Sequence, residues 1–373
     1  MSKSYYSLGL MSGTSMDGVD ASIIKSDGKD QYKPIIDRYF EYPKRIFKNL
    51  TDIRSKIKNV NDLKKYQKQI KSIEKEITIF HADSVNKILK KTEINLDFVG
   101  FHGQTIFHNA KIKISRQLGN GKLLSKIIKK NVLYNFRKND LRNGGEGAPL
   151  TPVFHQMLGK KFNLNPASFI NIGGIINRTT IADNGEFFAK DEGPGMCLID
   201  KWIRINSKKK YDENGNIARS GKLNKKILNK YFKFYKILIS EKKSYDTNDF
   251  DISFVKGLSL KNGAATLTYY TASILINFFL SKRKSKIREK IILCGGGRKN
   301  KFLVDILKKY NKKIKLIDDY GIDGDFVESQ AFAYLAIRSY LGLPISFPKT
   351  TGCKKPTKGG IKVGIFKKEQ ILF

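Results

Sequence analysis

The sequence is poor in cysteine, and its few cysteines do not form a recognisable site. Cys197, Cys294 and Cys353 are the only three in 373 residues, and no two of them form a CxxC pair. This spacing argues against both a disulfide framework and a thiolate zinc site.

Long apolar runs are also missing. The first residues contain no extended apolar region with a small-residue cleavage site, so we expect no signal peptide. The longest apolar-leaning stretch, residues 265–280, is threonine-rich and short for a membrane span, which favours a buried helix. We therefore expect a soluble, cytoplasmic protein without a membrane partner.

Acidic residues are scarce relative to basic ones. The chain has 71 Lys and Arg against 34 Asp and Glu, a formal net charge of +37. Such a charge attracts phosphates, nucleic acids and anionic lipids. The lysines are nevertheless spread along the chain, and zinc-finger spacing and RNA-recognition signatures are absent. We therefore expect no specific nucleic-acid partner.

Several common catalytic motifs are absent as well. The chain has no GxxxxGK[ST] phosphate loop, no GxGxxG after the first strand, and no protein-kinase signature. His102 and His108 are six residues apart, which is not HExxH spacing, so a zinc hydrolase is not indicated. The serines of SGTS lack a GxSxG elbow, which disfavours a serine nucleophile.

The chain does contain strand-like segments that alternate with segments of helical period. The strand-like segments are YYSLGLM, ASIIKSDG, DFVGFHG, NVLYNF, ASFINIGG, KIILCGGG and KIKLIDD. Residues 59–92 carry apolar side chains at spacings of three and four, which predicts an amphipathic helix, with a short coiled coil as the alternative. The alternation predicts an α/β protein of about two domains, and the hairpin-like strands at the start predict mixed sheets.

The segment GLMSGTSMDGVDA, residues 9–21, joins the first two strand-like segments. Its flanks predict a β-hairpin, and its tip contains Gly13, Ser15 and Gly18, which leave backbone N–H groups accessible. Such a tip suits phosphate oxygens. An ordinary turn is the alternative, because Gly, Ser and Asp are common in all turns.

Six further polar or glycine-rich segments lie at strand ends, in hairpins or at helix starts. They are residues 97–108, 136–155, 168–180, 187–200, 290–300 and 321–338. Each is weak evidence alone. Together they predict a nucleotide held in a cleft between two α/β lobes.

These segments, in this order, resemble the anhydro-N-acetylmuramic acid kinase family. The resemblance rests on GLMSGTSMDGVDA, FHGQTIFH, GGEGAPLTPVFH, NIGGIIN, DEGPGMCLID, CGGGRKN and ESQAFAYLA, and extends from residue 6 to about residue 365. It implies a two-lobed actin-like ATPase (ribonuclease H-like) fold with mixed sheets, flanking helices and ATP in the interlobe cleft. It further implies a homodimer that uses ATP and Mg²⁺ to convert 1,6-anhydro-N-acetylmuramic acid and water into N-acetylmuramic acid 6-phosphate and ADP, in peptidoglycan recycling.

The resemblance also assigns binding residues. The ATP-binding residues would be those of a first phosphate loop, a second phosphate loop and a nucleoside turn: Gly13, Thr14, Ser15, Met16, Asp17, Gly18, Val19, Asp20; Gly173, Gly174; Gly295, Gly296, Gly297. Asp17 would orient the magnesium ion, through water. The sugar-binding residues would be His102, Gln104, Arg137 and Glu328.

Asp191 is the expected general base. A proton must leave the water that adds to the anomeric carbon, and a carboxylate within hydrogen-bond reach can accept it. The alternative for Asp191 is a helix N-cap. The alternatives are a surface charge for Arg137 and a first-turn carboxylate favoured by the helix dipole for Glu328.

Two departures from the family pattern stand beside the expected base. The usual motif is Asp-Thr-Gly-Pro-Gly-Asn, whereas this chain has Glu192 and Met196 in place of the threonine and the asparagine. A second carboxylate facing the pocket would raise the pKa of the base. These changes keep open a catalytically degenerate nucleotide or sugar sensor as the alternative function.

The lobes are expected to divide near residue 137. The first lobe would comprise residues 1–137 and a returning segment, 350–373, and the second residues 138–349.

Overall fold

The computed structural model describes residues 3–13, 15–241, 245, 247–283 and 289–364. The strands are β1 (Tyr5–Ser12), β2 (Gly18–Ser26), β3 (Tyr32–Glu41), β4 (Phe98–Asn109), β5 (Ile114–Leu118), β6 (Val132–Tyr134), β7 (Ala167–Ile172), β8 (Ile175–Ile181), β9 (Phe187–Pro194), β10 (Lys290–Cys294), β11 (Lys315–Leu316) and β12 (Ile361–Val363).

The helices follow the same chain order. They are α1 (Lys44–Lys56), α2 (Val60–Lys65), α3 (Gln67–Leu89), α4 (Gly121–Ile128), α5 (Arg137–Arg142), α6 (Pro152–Lys161), α7 (Cys197–Asn206), α8 (Asn216–Arg219), α9 (Lys225–Glu241), α10 (Leu260–Arg283), α11 (Lys301–Tyr310), α12 (Val327–Tyr340) and α13 (Pro348–Thr351).

Two compact units make up the chain. The first comprises Met1–Lys161 and Phe326–Phe373, and the second Phe162–Asp325. The first unit is therefore larger than the lobe expected from the sequence, since it also takes in residues 138–161 and 326–349. Residues 326–349 belong to it because α12 packs on β1, β2 and β4 of the first unit, and α6 in turn contacts α12.

The two units carry the same five-strand arrangement. In the first unit the strand order is β3-β2-β1-β4-β6, and in the second it is β9-β8-β7-β10-β11. In both, the first strand pairs antiparallel with the second and the second with the third. The first strand is also parallel to the fourth, and the fourth to the fifth. The expected α/β class with mixed sheets is confirmed, and its doubling agrees with a two-lobed actin-like ATPase fold.

The helix α12 approaches the first sheet closely because two glycines face it. A Cβ at Gly9 would overlap the Ser329 carbonyl oxygen, and one at Gly100 would overlap the Phe332 carbonyl oxygen. On both strands a side chain would therefore push this helix off the sheet.

The helical periodicity of residues 59–92 is confirmed as two helices, α2 and α3, separated at Tyr66. Apolar residues of α3, including Ile70, Ile73 and Ile77, enter the core of the first unit. The threonine-rich stretch at 265–280 lies in α10, which contributes Leu267 and Leu275 to the core of the second unit. Among the described helices, none combines the length and apolarity that a bilayer crossing needs.

Candidate active site

The first predicted phosphate loop is the turn of the β1–β2 hairpin. Thr14 lies outside the described residues. Met16 has a left-handed backbone (φ 58°), which is rare for a residue other than glycine, and its side chain is buried in the core. The Ser15 hydroxyl donates to Asp17 Oδ1 over 2.6 Å. The loop therefore has a defined conformation that packing beneath it maintains.

Three side chains support this loop from below. The Gln104 amide nitrogen donates to the Gly13 carbonyl over 2.9 Å, and its Oε1 lies 2.7 Å from the Ser12 hydroxyl. The Ser12 hydroxyl also lies 2.9 Å from the Gly18 carbonyl and 3.0 Å from the Tyr42 hydroxyl. Gln104, predicted to bind sugar, thus uses both ends of its amide to hold the loop. Nothing in the sequence pattern singled out Ser12 or Tyr42.

Gly18 has a packing role. It is the first residue of β2, and a Cβ there would lie 2.5 Å from the Phe40 carbonyl oxygen and 2.5 Å from the Tyr39 ring. Gly13 differs, because the nearest atom to a Cβ there is the Ser15 hydroxyl at 3.8 Å. Packing therefore requires glycine at position 18 but leaves room for a side chain at position 13.

His102, Arg137 and Glu328 come together in the first unit, as three of the four predicted sugar-binding residues. His102 Nδ1 donates to the Gly103 carbonyl over 2.7 Å, so its Nε2 is the acceptor, and Arg137 donates to that nitrogen from Nη2 at 2.9 Å and from Nε at 3.2 Å. Burial, together with the Arg137 guanidinium, holds the pKa of His102 well below its usual range, so the ring is neutral.

The Arg137 guanidinium is fixed in place and charged. It donates through Nη1 to the Gly147 carbonyl over 2.8 Å. Burial lowers the pKa of Arg137 to about 10, and the nearby charges of Glu328 and Asp140 act in the opposite direction. Asp140 itself accepts from the Gly147 N–H over 2.7 Å and from the Thr351 hydroxyl over 2.6 Å. These contacts argue against a freely moving surface charge at Arg137.

The second predicted phosphate loop, Gly173 and Gly174, is the turn of the β7–β8 hairpin. It occupies the same place in the strand order of its unit as the first loop does in the other. The carbonyls of both glycines accept from the backbone N–H groups of Gly195 and Met196, each over 2.9 Å. The loop is therefore tied to the start of α7.

Asp191 lies on β9 in one row of side chains across the second sheet. The register places Cys294 beside Asn171, Asn171 beside Asn177, and Asn177 beside Asp191. The row lies two residues before Gly173 on β7 and three residues after Gly174 on β8, so it brings Asp191 to the end of the sheet that carries this turn. Since α7 begins at Cys197 with Met196 at its N-cap, Asp191 is not a helix cap.

The Asp191 carboxylate is buried, with 6% of the residue exposed. Its Oδ1 accepts from the Asn177 side-chain amide, and its Oδ2 accepts from the backbone N–H of Tyr245 over 3.0 Å. Asn177 lies in the segment 168–180, and no pattern in the sequence indicated that it or Tyr245 would bind Asp191.

Glu192 is engaged by another side chain. Its Oε1 lies 2.6 Å from Arg178 Nη2 and 2.7 Å from Arg178 Nε, and both residues are buried. The Arg178 guanidinium lies 4.2 Å from the centre of the Phe278 ring. Asn177 and Arg178 are neighbours on β8, where successive side chains point to opposite faces. Arg178, the partner of Glu192, therefore lies on the opposite face of β8 from Asn177, the partner of Asp191.

The predicted nucleoside turn follows β10. A Cβ at Gly295 would overlap Asn171 Oδ1, and one at Gly297 would overlap the Ile172 side chain, whereas no atom lies within 4 Å of a Cβ at Gly296. Arg298 secures the turn, because its guanidinium binds Asp318 at 2.7 Å, Asp323 at 3.2 Å and Asp325 at 2.6 Å. Gly295 and Gly297 therefore serve packing against β7, and Gly296 faces open space.

The described residues contain no group of three or more His, Cys, Asp or Glu side chains that could hold a metal ion. Asp17 is half-buried at the tip of the first loop. Burial, followed by the charges of Asp17, Glu41 and Asp20, raises the pKa of Tyr39, so each of these carboxylates lies near the Tyr39 hydroxyl. Mg²⁺ bound to a nucleotide usually takes one or two carboxylates and several waters. The residues therefore fit a magnesium ion that phosphates also hold.

A surface cavity of about 400 Å³ lies elsewhere in the second unit. It is lined by Lys222, Leu223, Asn224, Lys225, Lys226, Leu258 and Asn262. It contains none of the predicted site residues, so it does not bear on them.

Comparisons with known proteins agree with the motifs. Residues 5–364 match the family model described as anhydro-N-acetylmuramic acid kinase. The chain is 51% identical over 372 residues to the protein of that name from Pelagibacter ubique (strain HTCC1062), covering 97% of this chain and 99% of the relative. It is 34% identical over 370 residues to the protein of that name from Brucella canis, covering 95% of this chain and 98% of the relative.

Solved structures are more distant. Component A of (R)-2-hydroxyglutaryl-CoA dehydratase from Acidaminococcus fermentans has 13% identity and a TM-score of 0.45, with 90% of this chain and 98% of the other covered. A likeness at this level carries no argument about function.

Gly13 and Gly18 respond differently to alanine if the first loop contacts phosphate through its backbone. Gly13→Ala leaves the free energy of unfolding within about 0.5 kcal/mol of wild type, because the space is open, and weakens ATP binding by about tenfold or more, because a methyl group would block the phosphates. Gly18→Ala lowers the free energy of unfolding by about 1–3 kcal/mol through overpacking. Calorimetry and urea denaturation on both variants measure this. Unchanged ATP affinity in folded Gly13→Ala would contradict the loop assignment.

The Glu192–Arg178 pair gives a second prediction. Glu192→Gln or Arg178→Met leaves one buried charge without its partner and destabilises the protein by about 3–5 kcal/mol. The double variant Glu192→Gln/Arg178→Met removes both charges, and its loss should be smaller than the sum of the single losses. Denaturant titration of the four proteins measures the coupling. Additive losses would mean that the pair does not act as a unit.

Proposed function

The chain belongs to the anhydro-N-acetylmuramic acid kinase family, and from this premise we propose that Asp191 and the two hairpin turns carry its reaction. The enzyme opens 1,6-anhydro-N-acetylmuramic acid with water and phosphorylates it with ATP, giving N-acetylmuramic acid 6-phosphate and ADP. The alternative of a degenerate sensor receives no support from the family match.

Asp191 acts as the general base in this proposal. The water oxygen forms a bond to the anomeric carbon while the bond from that carbon to the bridging oxygen breaks. The bridging oxygen takes the γ-phosphoryl group, ADP leaves, and the water proton passes to an Asp191 carboxylate oxygen. The observation that carries the assignment is the burial of this carboxylate between two fixed donors, Asn177 and the Tyr245 N–H. A buried, oriented carboxylate is suited to proton abstraction.

Glu192 does not replace Asp191 in this role. Its carboxylate is already paired with the buried Arg178 guanidinium. The departure from the family threonine at this position therefore affects the support of β9 more than the reacting groups.

The two hairpin turns bind the ATP phosphates in this proposal. Exposed backbone N–H groups in such turns suit phosphate oxygens. Asp17 would hold Mg²⁺ through water, and the ion would neutralise the charge that develops on the transferred phosphoryl group. Gly295, Gly296 and Gly297 would form the turn against the nucleoside, with Gly296 nearest the base or ribose because it faces open space.

Arg137, Glu328 and His102 form the proposed sugar-binding group. The muramic sugar carries a carboxylate, and a fixed guanidinium is suited to binding one. The neutral His102 acts through Arg137, since its Nε2 accepts from that guanidinium. Gln104 supports the phosphate loop from its place below it.

We also propose a cytoplasmic homodimer that works in peptidoglycan recycling. The family resemblance supports each of these three statements. Size-exclusion chromatography with light scattering would test the dimer, and a single-chain mass would contradict it.

Asp191→Asn tests the proposed base. Asparagine keeps the size and polarity of the site but cannot accept the water proton, so kcat should fall on the order of 10²–10⁴-fold. Binding of ATP and sugar should change far less. Steady-state kinetics and melting temperature are measured on the same preparation. Wild-type turnover in a folded Asp191→Asn protein would exclude Asp191 as the base.

A further inference from the structure

The Asp191 carboxylate is held on both oxygens by groups from two different elements. The Asn177 side chain on β8 donates to Oδ1, and the Tyr245 backbone N–H, between α9 and α10, donates to Oδ2 over 3.0 Å. A carboxylate only accepts hydrogen bonds, so Asn177 must present its NH₂ group to it. Both bonds favour the ionised form of the group.

We propose that Asn177 is a positioning residue for the kinase reaction, which holds Asp191 ionised and aims one of its oxygens at the attacking water. This rests on the proposed role of Asp191 as the base. Asn177 acts through Asp191 and needs no contact with the substrate.

The sheet fixes Asn177 for this role. Asn177 stands directly opposite Asp191 on β9 and opposite Asn171 on β7. The β8–β9 register shifts between Ile176 and Asn177, which places Glu192 in a bulge directly after Asp191. Bulges beside active sites re-aim side chains. The shift occurs where Asn177 binds Asp191, so the bulge and the hydrogen bond together set the direction of the carboxylate.

The bulge is secured on its other side by the buried ion pair. Arg178 binds Glu192 through two nitrogens, and the Tyr235 hydroxyl donates to the Glu192 carbonyl. Successive residues of β8 thus bind successive carboxylates of β9. The backbone next to Asp191 therefore cannot shift without breaking contacts that Glu192 makes.

Titratable or charged groups that the structure describes around Asp191 include Tyr245, Tyr235, Glu192 and Arg178. Burial, then the charges of Asp191 and Glu192, raise the pKa of Tyr245 to about 12. Burial, then the charge of Glu192, raise the pKa of Tyr235. Glu192 is itself paired with Arg178. Neither tyrosine loses its proton near neutral pH.

Asn177→Leu keeps the size of the side chain and removes the donor. We expect kcat to fall about 10–100-fold, the usual effect of removing a partner that orients a functional group, with KM for ATP changed less than about twofold. Loss of the donor makes Asp191 hold a proton more readily. The acid limb of the kcat/KM profile for the sugar should therefore move to higher pH.

Ile181→Ala is the matched control. Ile181 is also a buried residue of β8, and its apolar side chain cannot hydrogen-bond to Asp191, Glu192 or Arg178. The cavity left by its loss weakens the same strand, so the acid limb should stay in place. An equal shift in this control would show that Asn177 acts only through stability, and would overturn the inference.

A second variant keeps the test decisive if Asn177→Leu does not fold. Asn177→Asp has the same shape and places a second carboxylate beside Asp191, so the acid limb should move up by about one pH unit or more. A wild-type profile in Asn177→Asp would overturn the inference.

The Asp191→Asn background separates this inference from the proposed function. If Asn177 acts through the base, adding Asn177→Leu to Asp191→Asn should cause no further loss of kcat. A wild-type rate and profile in Asn177→Leu, beside an inactive Asp191→Asn, would overturn the inference alone. Normal turnover in Asp191→Asn would overturn the proposed base itself.

Discussion

The burial of the Asp191 charge is the constraint on which the second unit depends. A carboxylate removed from water needs hydrogen-bond donors, and those donors have to be placed by the backbone. Asn177 meets this need only if β8 and β9 keep their register, and Tyr245 meets it only if the chain after α9 returns to the sheet. The bulge at Glu192 and the Arg178 ion pair maintain that register. The burial of one side chain therefore depends both on the strand register and on the position of Tyr245.

The strand order shared by the two units explains where the two candidate phosphate loops lie. Each unit places a glycine-containing turn between its first and second strands, and these turns are the two candidate phosphate loops. Glycine also permits close backbone approach in both units, under α12 at Gly9 and against β7 at Gly295. The sequence shows no internal repeat, because the arrangement repeats in strand order and direction while the side chains differ.

Local patterns predicted most of the central strands, the long helix and the turns, since these depend on alternation and on glycine. The strand β3 was missed because its side chains are mostly half-buried or exposed and lack an apolar run. The roles of Gln104 and Gly18 were also beyond local patterns. Gln104 binds a hydroxyl 92 residues away, and the restriction at Gly18 comes from the carbonyl of Phe40 on the neighbouring strand. Such partners become known only when the strands are paired. The family motif predicted Asp191 but not its donors, since Asn177 is placed by the strand register and Tyr245 by the chain between α9 and α10.

In the proposed reaction, water activated by Asp191 adds to the anomeric carbon while the phosphoryl group goes to the bridging oxygen. A single-turnover reaction of the enzyme with anhydro-N-acetylmuramic acid and MgATP in ¹⁸O-water tests this course directly by mass spectrometry. We expect one ¹⁸O in the sugar portion of N-acetylmuramic acid 6-phosphate and none in its phosphoryl group. Label in inorganic phosphate without a sugar phosphate, or a labelled phosphoryl group on the product, would contradict it.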